Sequence, residues 1–312
     1  MRNWNKIGVF CFLLSSTFLF SQNERLIIGR TTGKLVIGNN QEIRTFGFTN
    51  SLSGQVTLPG LSIEAVEGEN VSIDFWNISQ GNPVSLFCKE IDFVQRDKED
   101  KVMKKEEAIH HMEHGFYSFQ AQKAGTYLYY SPENYPFNLQ AGMFGVIIIR
   151  AKDQDSSALQ PLRELLLCSS ELDTKWHTDA IMGTEYDSSN KPIVLPKYKP
   201  EYFLINGKIA TATKGLQSLG DKNEPLLLRL VNSGLYLHEI VFPSPVKLQL
   251  RYGNEASVTT LPDGCKIQLR SGESIEVLVF LENVGEKEHI IYHFTDPVLK
   301  KKVYEAAIPV FY

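Results

Sequence analysis

Between Leu61 and Phe75 the side chains alternate in polarity with a period of two: Leu61-Ser62-Ile63-Glu64-Ala65-Val66, a glycine at 68, then Val71-Ser72-Ile73-Asp74-Phe75. Only an extended backbone sends successive side chains to opposite faces, so these segments are expected to be half-buried strands joined by a turn. The pattern returns at Phe116–Phe119, Gly125–Tyr129 and Gly145–Ile149. After a polar stretch it resumes at Tyr202–Ile205, Leu226–Val231, Lys247–Arg251, Lys266–Leu269, Glu276–Phe280, His289–His293 and Ala306–Val310. No segment carries sustained helical periodicity. Short helical turns are expected only at Leu159–Leu165 and in the charged insert Arg96–Glu113. Such a chain is all-β, with its strands layered as sandwiches.

Residues 1–21 read as a secretory signal peptide. Two positive charges in Met1–Lys6 precede an apolar run from Ile7 to Phe20, and Ser21-Gln22-Asn23 supply the small and polar residues of a cut. The run is shorter than the roughly 20 residues of a membrane span, and no later segment is long enough. A retained N-terminal anchor is the alternative. The mature chain is therefore expected to be exported, periplasmic or extracellular, without a span. Its remaining length, at roughly 100–200 residues per domain, makes two domains. Ala151–Ser157 is polar, and serines, lysines and Pro192, Pro196 and Pro200 mark a connector. The expected organisation is a first domain at 28–155, a linker with an edge strand at 156–195, and a second domain at 196–312. The halves share a plan in which a strand closes on an asparagine, Asn77 in one and Asn232 in the other. Asn70 and Asn77 also head N-x-S tripeptides. A net charge of −4 gives no footprint for nucleic acid. Cys88, Cys168 and Cys265 form no C-x-x-C, and one disulfide with a free thiol or three thiols are both open.

Three stretches of the first half resemble a known family. Pro59–Val71 is similar to the PGP-x-I-x-V-x-x-G-D-x-V opening of the first domain of multicopper oxidases (laccase-like) and copper nitrite reductases. Phe116–Tyr129 resembles their Y-x-F-x-A-x-x-x-G-T-Y-x-Y, and Gly142–Ile148 their closing strand. In the second half Leu204-Ile205-Asn206-Gly207-Lys208, Leu228–Asn232 and Leu269–Val279 resemble segments of a second such domain. The resemblance covers about residues 30–312 in the family's order. It implies two Greek-key, cupredoxin-like (plastocyanin-like) β-sandwiches in tandem.

The resemblance also says where copper ligands should stand, and they are missing. Pro83–Lys89 contains no histidine. Tyr129-Tyr130-Ser131-Pro132 replaces Y-H-C-A-P, and Asn138 takes the place of a histidine, leaving only Met143. A blue-copper centre needs a cysteine thiolate and two imidazoles, with methionine as a weak axial partner. In the second half Phe294 stands where a cysteine would be. His238 and His293, with Glu239 as a further donor, could hold copper or zinc if their strands are neighbours; otherwise they are half-buried or surface histidines. His110, His111 and His114 are close in sequence, and on a helix His110 and His114 would share a face as soft-metal ligands beside Met112. Their charged surroundings also fit a solvated turn. The tyrosine-rich loop, Tyr127, Tyr129, Tyr130 and Tyr135 with Phe137, fits either a binding surface or core packing.

No G-x-S-x-G elbow or phosphate-binding glycine loop occurs, and no catalytic residue is assigned. The expected function is that of an exported, degenerate multicopper-oxidase-like protein, a non-catalytic binding or assembly module of the cell envelope. It would carry no cofactor and meet a protein or small-molecule partner, and an oligomer is compatible with this. The alternatives are a copper-dependent oxidoreductase with a non-standard metal site and a copper-handling protein.

Overall fold

The structure, a computed structural model, describes residues 24–37, 40–80, 82–105, 107–152, 163–186, 191–210, 225–244, 246–251, 259–262, 264–281, 284–285 and 287–310. The expected leader, residues 1–21, lies outside them. The first half forms β1 (Arg25–Ile37), β2 (Gln41–Thr49), β3 (Ser62–Val66), β4 (Asn70–Asn77), β5 (Phe87–Cys88), β6 (Val94–Arg96), β7 (His114–Gln120), β8 (Gly125–Tyr130), helix α1 (Phe137–Ala141) and β9 (Phe144–Arg150). The rest forms β10 (Arg163–Leu172), helix α2 (Asp179–Met182), β11 (Tyr202–Ile205), β12 (Lys208–Ile209), β13 (Leu226–Asn232), β14 (Leu237–Val241) and β15 (Lys247–Arg251). It ends with β16 (Thr259–Leu261), β17 (Lys266–Leu269), β18 (Ser274–Phe280), β19 (His289–Asp296) and β20 (Lys301–Pro309).

Two sandwiches result, as expected. The first pairs a sheet of order β2-β1-β4-β7-β6 with one of order β3-β9-β8-β5, and the second pairs β12-β11-β10-β13-β18-β15-β16 with β17-β14-β19-β20. Strands β1 and β4 run parallel, as do β10 and β13, and the flanking pairs are antiparallel in both halves. The shared plan seen in the sequence is thus a shared strand order. Strand β10 corrects the expected linker: residues 163–172 are an interior strand between β11 and β13, so the second sheet starts well before residue 196. The expected helical turns are also replaced. Arg163–Leu165 belong to β10, and residues 159–162 lie outside the described set. The described part of Arg96–Glu113 is turns and extended chain held by bridges Arg96↔Val102 and Val84↔Ile109. The observed helices are four or five residues long, too short to leave a periodic signal. Among the described residues no helix is long and apolar enough to cross a membrane.

Strand β4 shows how the alternation works: Val71, Ile73, Phe75 and Asn77 point inward between less buried neighbours. Strands β9 and β13 depart from it, because both of their faces are covered. Ile147 and Ile149 fill the first core, while Val146 and Ile148 pack with Cys168 and Val231 of the second half. Leu226, Leu228 and Leu230 fill the second core. Arg229, on the opposite face of β13, reaches the seam between the sandwiches. Its guanidinium donates to Thr126 Oγ1 of β8 at 2.9 Å and pairs with Glu276 and, at 3.0 Å, with Glu164. Arg150 joins Glu164 at 2.9 Å and Glu64 at 3.0 Å, extending the ion pairs into the first half.

The two strand-closing asparagines do the same work. Asn77 donates its amide to the carbonyls of Asn82 (2.9 Å) and Ile109 (2.7 Å), and its Oδ1 accepts the N–H of Ser79 (2.8 Å). Asn232 donates to Tyr236 (2.8 Å) and Leu269 (2.9 Å) and accepts from Gly234 (2.8 Å). Asn77 ties the end of β4 to the connecting segment at Ile109, Asn232 ties the end of β13 to β17, and Asn77 has no amide hydrogen left for its tripeptide to offer as a sugar acceptor. Losing either side chain would leave buried carbonyls and an N–H without partners, at about 1–3 kcal/mol per group. Asn77→Ala and Asn232→Ala should therefore each lower the urea midpoint markedly, whereas the exposed Asn70→Ala should leave it nearly unchanged.

Candidate functional site

The end of β8, the loop that follows, α1 and the start of β9 gather the positions where the resemblance places copper ligands. Ser131 N–H donates to Met143 O (3.0 Å), and Met143 N–H donates to Asn138 O (2.9 Å), so Ser131, Asn138 and Met143 lie together. Gly142, at φ +115°, ends α1 and lets the chain turn into β9 against Thr45 and Leu58, where a Cβ would collide. Two residues not singled out from the sequence complete the locus. Ser85 enters from the segment before β5, and Glu133 folds back over it. The Glu133 carboxylate accepts from Ser85 N–H (3.0 Å), from Ser85 Oγ, and from Ser131 Oγ (2.6 Å), while Asn138 Nδ2 donates to Ser131 Oγ (2.9 Å). Ser85, Ser131, Asn138 and Met143 are all buried.

These donors do not fit blue copper. Two hydroxyls, an amide, a carboxylate and a thioether replace the thiolate and imidazoles that such a site requires. Among the described residues no three or more His, Cys, Asp and Glu side chains come together in a way that could hold a metal ion. The thiol next along this segment, Cys88, is pushed up to about 12 by burial, the reverse of a ligand thiolate. Burial pushes Cys168 up to about 12 as well. Cys88, Cys168 and Cys265 are all free thiols, which closes the disulfide question left open by the sequence.

The structure disperses the histidine cluster. Residues 110–114 form a turn, with Met112 in the left-handed region at φ +66°, and no helix brings His110 over His114. His111 Nδ1 contacts the Ser79 carbonyl at 2.5 Å, so that nitrogen carries the proton and donates. His114 is on β7, where its Nδ1 meets Asp74 Oδ1 at 2.6 Å and its ring stacks on Trp76 at 5.2 Å. His110 is exposed and engages Glu113 through its backbone N–H.

His238 and His293 are on neighbouring strands, which was the condition for their meeting, yet they do not meet. The register pairs His238 with Phe294 and Glu239 with His293, which puts the two imidazoles on opposite faces of the sheet. His238 is fully buried between Ser169 Oγ at its Nδ1 (2.7 Å) and Glu171 Oε2 at its Nε2 (3.1 Å). Glu171 also accepts the N–H groups of Leu235 (2.6 Å) and Tyr236 (2.5 Å), and a Cβ at Gly234 would overlap its carboxylate. This serine, histidine and glutamate resemble a hydrolytic triad only in order. With Ser169, Glu171 and His238 all buried, they bind β10 to β14 and offer no nucleophile to a substrate. His293 lies on the outer face between Glu239 Oε1 and Glu305 Oε2, at 3.1 Å from each.

The tyrosine-rich loop divides between core and surface. Tyr129 stacks on Phe48 and donates to Leu61 O at 2.9 Å, and Phe137 packs edge-on against Phe46. Tyr127 donates to Lys123 O at 2.9 Å. Tyr130 and Tyr135, the latter 55 % exposed, join Phe87 in a ring cluster facing a cleft. Leu128, Leu139 and Lys89 line the cleft from the first half, and Ser271 and Gly272 from the second. Tyr127 borders separate clefts beside Lys123 and Glu90, so Tyr127, Tyr130 and Tyr135 are the loop tyrosines that line a cleft among the described residues.

Comparison with known proteins agrees with this architecture. Residues 49–154, about a third of the chain, match the multicopper oxidase domain family. No curated protein matches the sequence closely enough to serve as a relative. Among solved structures the chain is similar to the blue copper oxidase from Nitrosomonas europaea, with 20% identity and a TM-score of 0.67 over 92% of this chain and 86% of that one. The multicopper oxidase mgLAC gives 18% identity and a TM-score of 0.64, covering 91% of this chain and 84% of its own. The copper nitrite reductase from Nitrosomonas europaea gives 20% identity and a TM-score of 0.61, over 92% and 93%. At such identities the likeness is one of fold. Residues 49–154 thus resemble a multicopper oxidase domain in sequence, and the chain as a whole has the tandem cupredoxin fold of multicopper oxidases and copper nitrite reductases.

Proposed function

We propose that this chain is an exported, non-catalytic binding or assembly module of the cell envelope, built on the fold of the copper oxidases. The observation that carries this reading is the Ser85–Glu133–Ser131–Asn138 network, which uses the blue-copper locus for hydrogen bonds. The cleft beneath Phe87, Tyr130 and Tyr135 supports it, since concave aromatic surfaces with few polar groups suit ligand binding. Copper handling is the second reading. It is favoured by the multicopper oxidase match at 49–154 and by the exposure of His110, Met112 and His114.

Copper titration separates the two. The protein loaded with copper should show no intense thiolate-to-copper absorption and no oxidation of phenols or reduction of nitrite. Any weak copper uptake should vanish in His110→Ala/His114→Ala and persist in His238→Ala/His293→Ala. Stoichiometric, tight copper or intense blue colour in the wild-type protein would overturn the module reading.

The same reading gives His293 a structural task, which pH can test. Gln268, then His293 and Lys266, hydrogen-bond to the Glu239 carboxylate and hold it down at about 2 against partial burial, from an ordinary 4.5. A carboxyl lowered in the folded state contributes stability above its unfolded pKa and loses it as pH falls through the folded value. The window is therefore about pH 4.5 down to 2, and solvent screening leaves a contribution of about 1 kcal/mol. In acid titrations followed by circular dichroism, Glu239→Gln should flatten the stability loss across that window.

A further inference from the structure

We infer that the hairpin tip between β19 and β20 is a docking element for an anionic lipid surface. Val298 is 84 % exposed and Leu299 66 % exposed, the pair standing together on a turn. The turn is fixed: Asp296 Oδ1 accepts the N–H groups of Val298 (2.8 Å) and Leu299 (2.9 Å), and Lys300 N–H donates to Asp296 O at 2.9 Å. Lys300 takes the left-handed conformation, φ +53°, that starts the return strand. Two aliphatic side chains are thus held out in water by the backbone. Three consecutive lysines, Lys300, Lys301 and Lys302, follow them directly, and Lys302 pairs with Glu305 at 2.5 Å.

An apolar tip with a basic collar matches a membrane interface, where aliphatic groups enter the acyl boundary and lysines stay among anionic headgroups. A protein partner fits less well. Two side chains on a hairpin turn fall far short of the roughly 800 Å² per partner of a standard protein interface. The turn is preorganised, so little conformational entropy is lost on insertion. Asp296, the acidic side chain at the tip, has its Oδ1 bonded back to the turn's own amides. This inference does not depend on whether the protein binds copper.

The test is flotation of the chain from Gln22 onward, without the expected leader, with vesicles of phosphatidylcholine alone or of phosphatidylcholine with phosphatidylglycerol. Binding should favour the anionic vesicles and weaken as salt rises. Val298→Asp/Leu299→Asp should reduce it about tenfold or more, and Lys300→Gln/Lys301→Gln should remove most of its salt dependence. All four positions face solvent, so the thermal midpoint should not move. In Leu299→Trp the emission should shift to the blue and be quenched by brominated lipid. No binding to anionic vesicles, or binding that the Val298/Leu299 variant leaves unchanged, would overturn the proposal. The first result would leave the tip as a surface for an acidic protein, and the second would place lipid contact elsewhere on the chain.

Discussion

Arg229 sits where the two sandwiches meet, with almost no contact with water, and its charge has to be answered from both sides. Glu276 and Glu164 neutralise it from the second half, and Thr126 accepts from it in the first. An unpaired charge in this position would cost several kcal/mol, so the seam has little freedom to slide. Around the ion pair, Leu58, Leu128, Leu139, Val146 and Ile148 meet Cys168 and Val231 in an apolar patch. The patch supplies adhesion without direction, and the arginine supplies register. The aromatic cleft, made from residues of both halves, inherits its shape from that register.

The first sandwich keeps the framework of a copper site without its chemistry. Backbone bonds, indifferent to side chains, tie Ser131 to Met143 and Met143 to Asn138, and one side-chain bond, Asn138 Nδ2 to Ser131 Oγ, is added to them. Ligand identity can therefore change while the cage stays intact. Once imidazole and thiolate are absent, the buried hydroxyls and amide need partners, and Glu133 provides them. A pocket closed by a bonded carboxylate is a stable end state, because reopening it would leave Ser85 and Ser131 unsatisfied. The buried Glu171–His238–Ser169 group follows the same logic in the second sandwich, where polar residues of catalytic type serve to join strands.

Alternation in polarity belongs to the local chain, and so the strands of both halves were legible without coordinates. Asn77 and Asn232 marked equivalent strand ends for the same reason. Less legible were β1 and β2, since Arg25–Ile37 bends through a register shift near Gly33 and breaks the period of two. The resemblance to the copper oxidases implied where ligands would stand, and against it the missing ones at Ser131 and Asn138 could be read. Glu133 could have been suspected, as an acid two residues after Ser131 in the loop that carries the family's metal. The continuous apolar runs Val146–Ile149 and Leu226–Leu228 held a further signal, because strands covered on both faces have to lie between two layers.

The sequence by itself determined the fold class, the tandem plan and the absence of a blue-copper ligand set, since each depends on residue identity along a short stretch. Tertiary structure alone decided which residues meet. His238 and His293 are on adjacent strands, yet the β14–β19 register sends them to opposite faces, and a shift of one residue would have changed that. Strand order made residues 163–172 an interior strand where their sequence suggested an edge. Exposure is decided the same way: nothing in Val298-Leu299 distinguishes it from a core pair until the hairpin turns it toward water. Periodicity is a property of the backbone at each position. Contact is a property of distant segments brought together, and that information is not local.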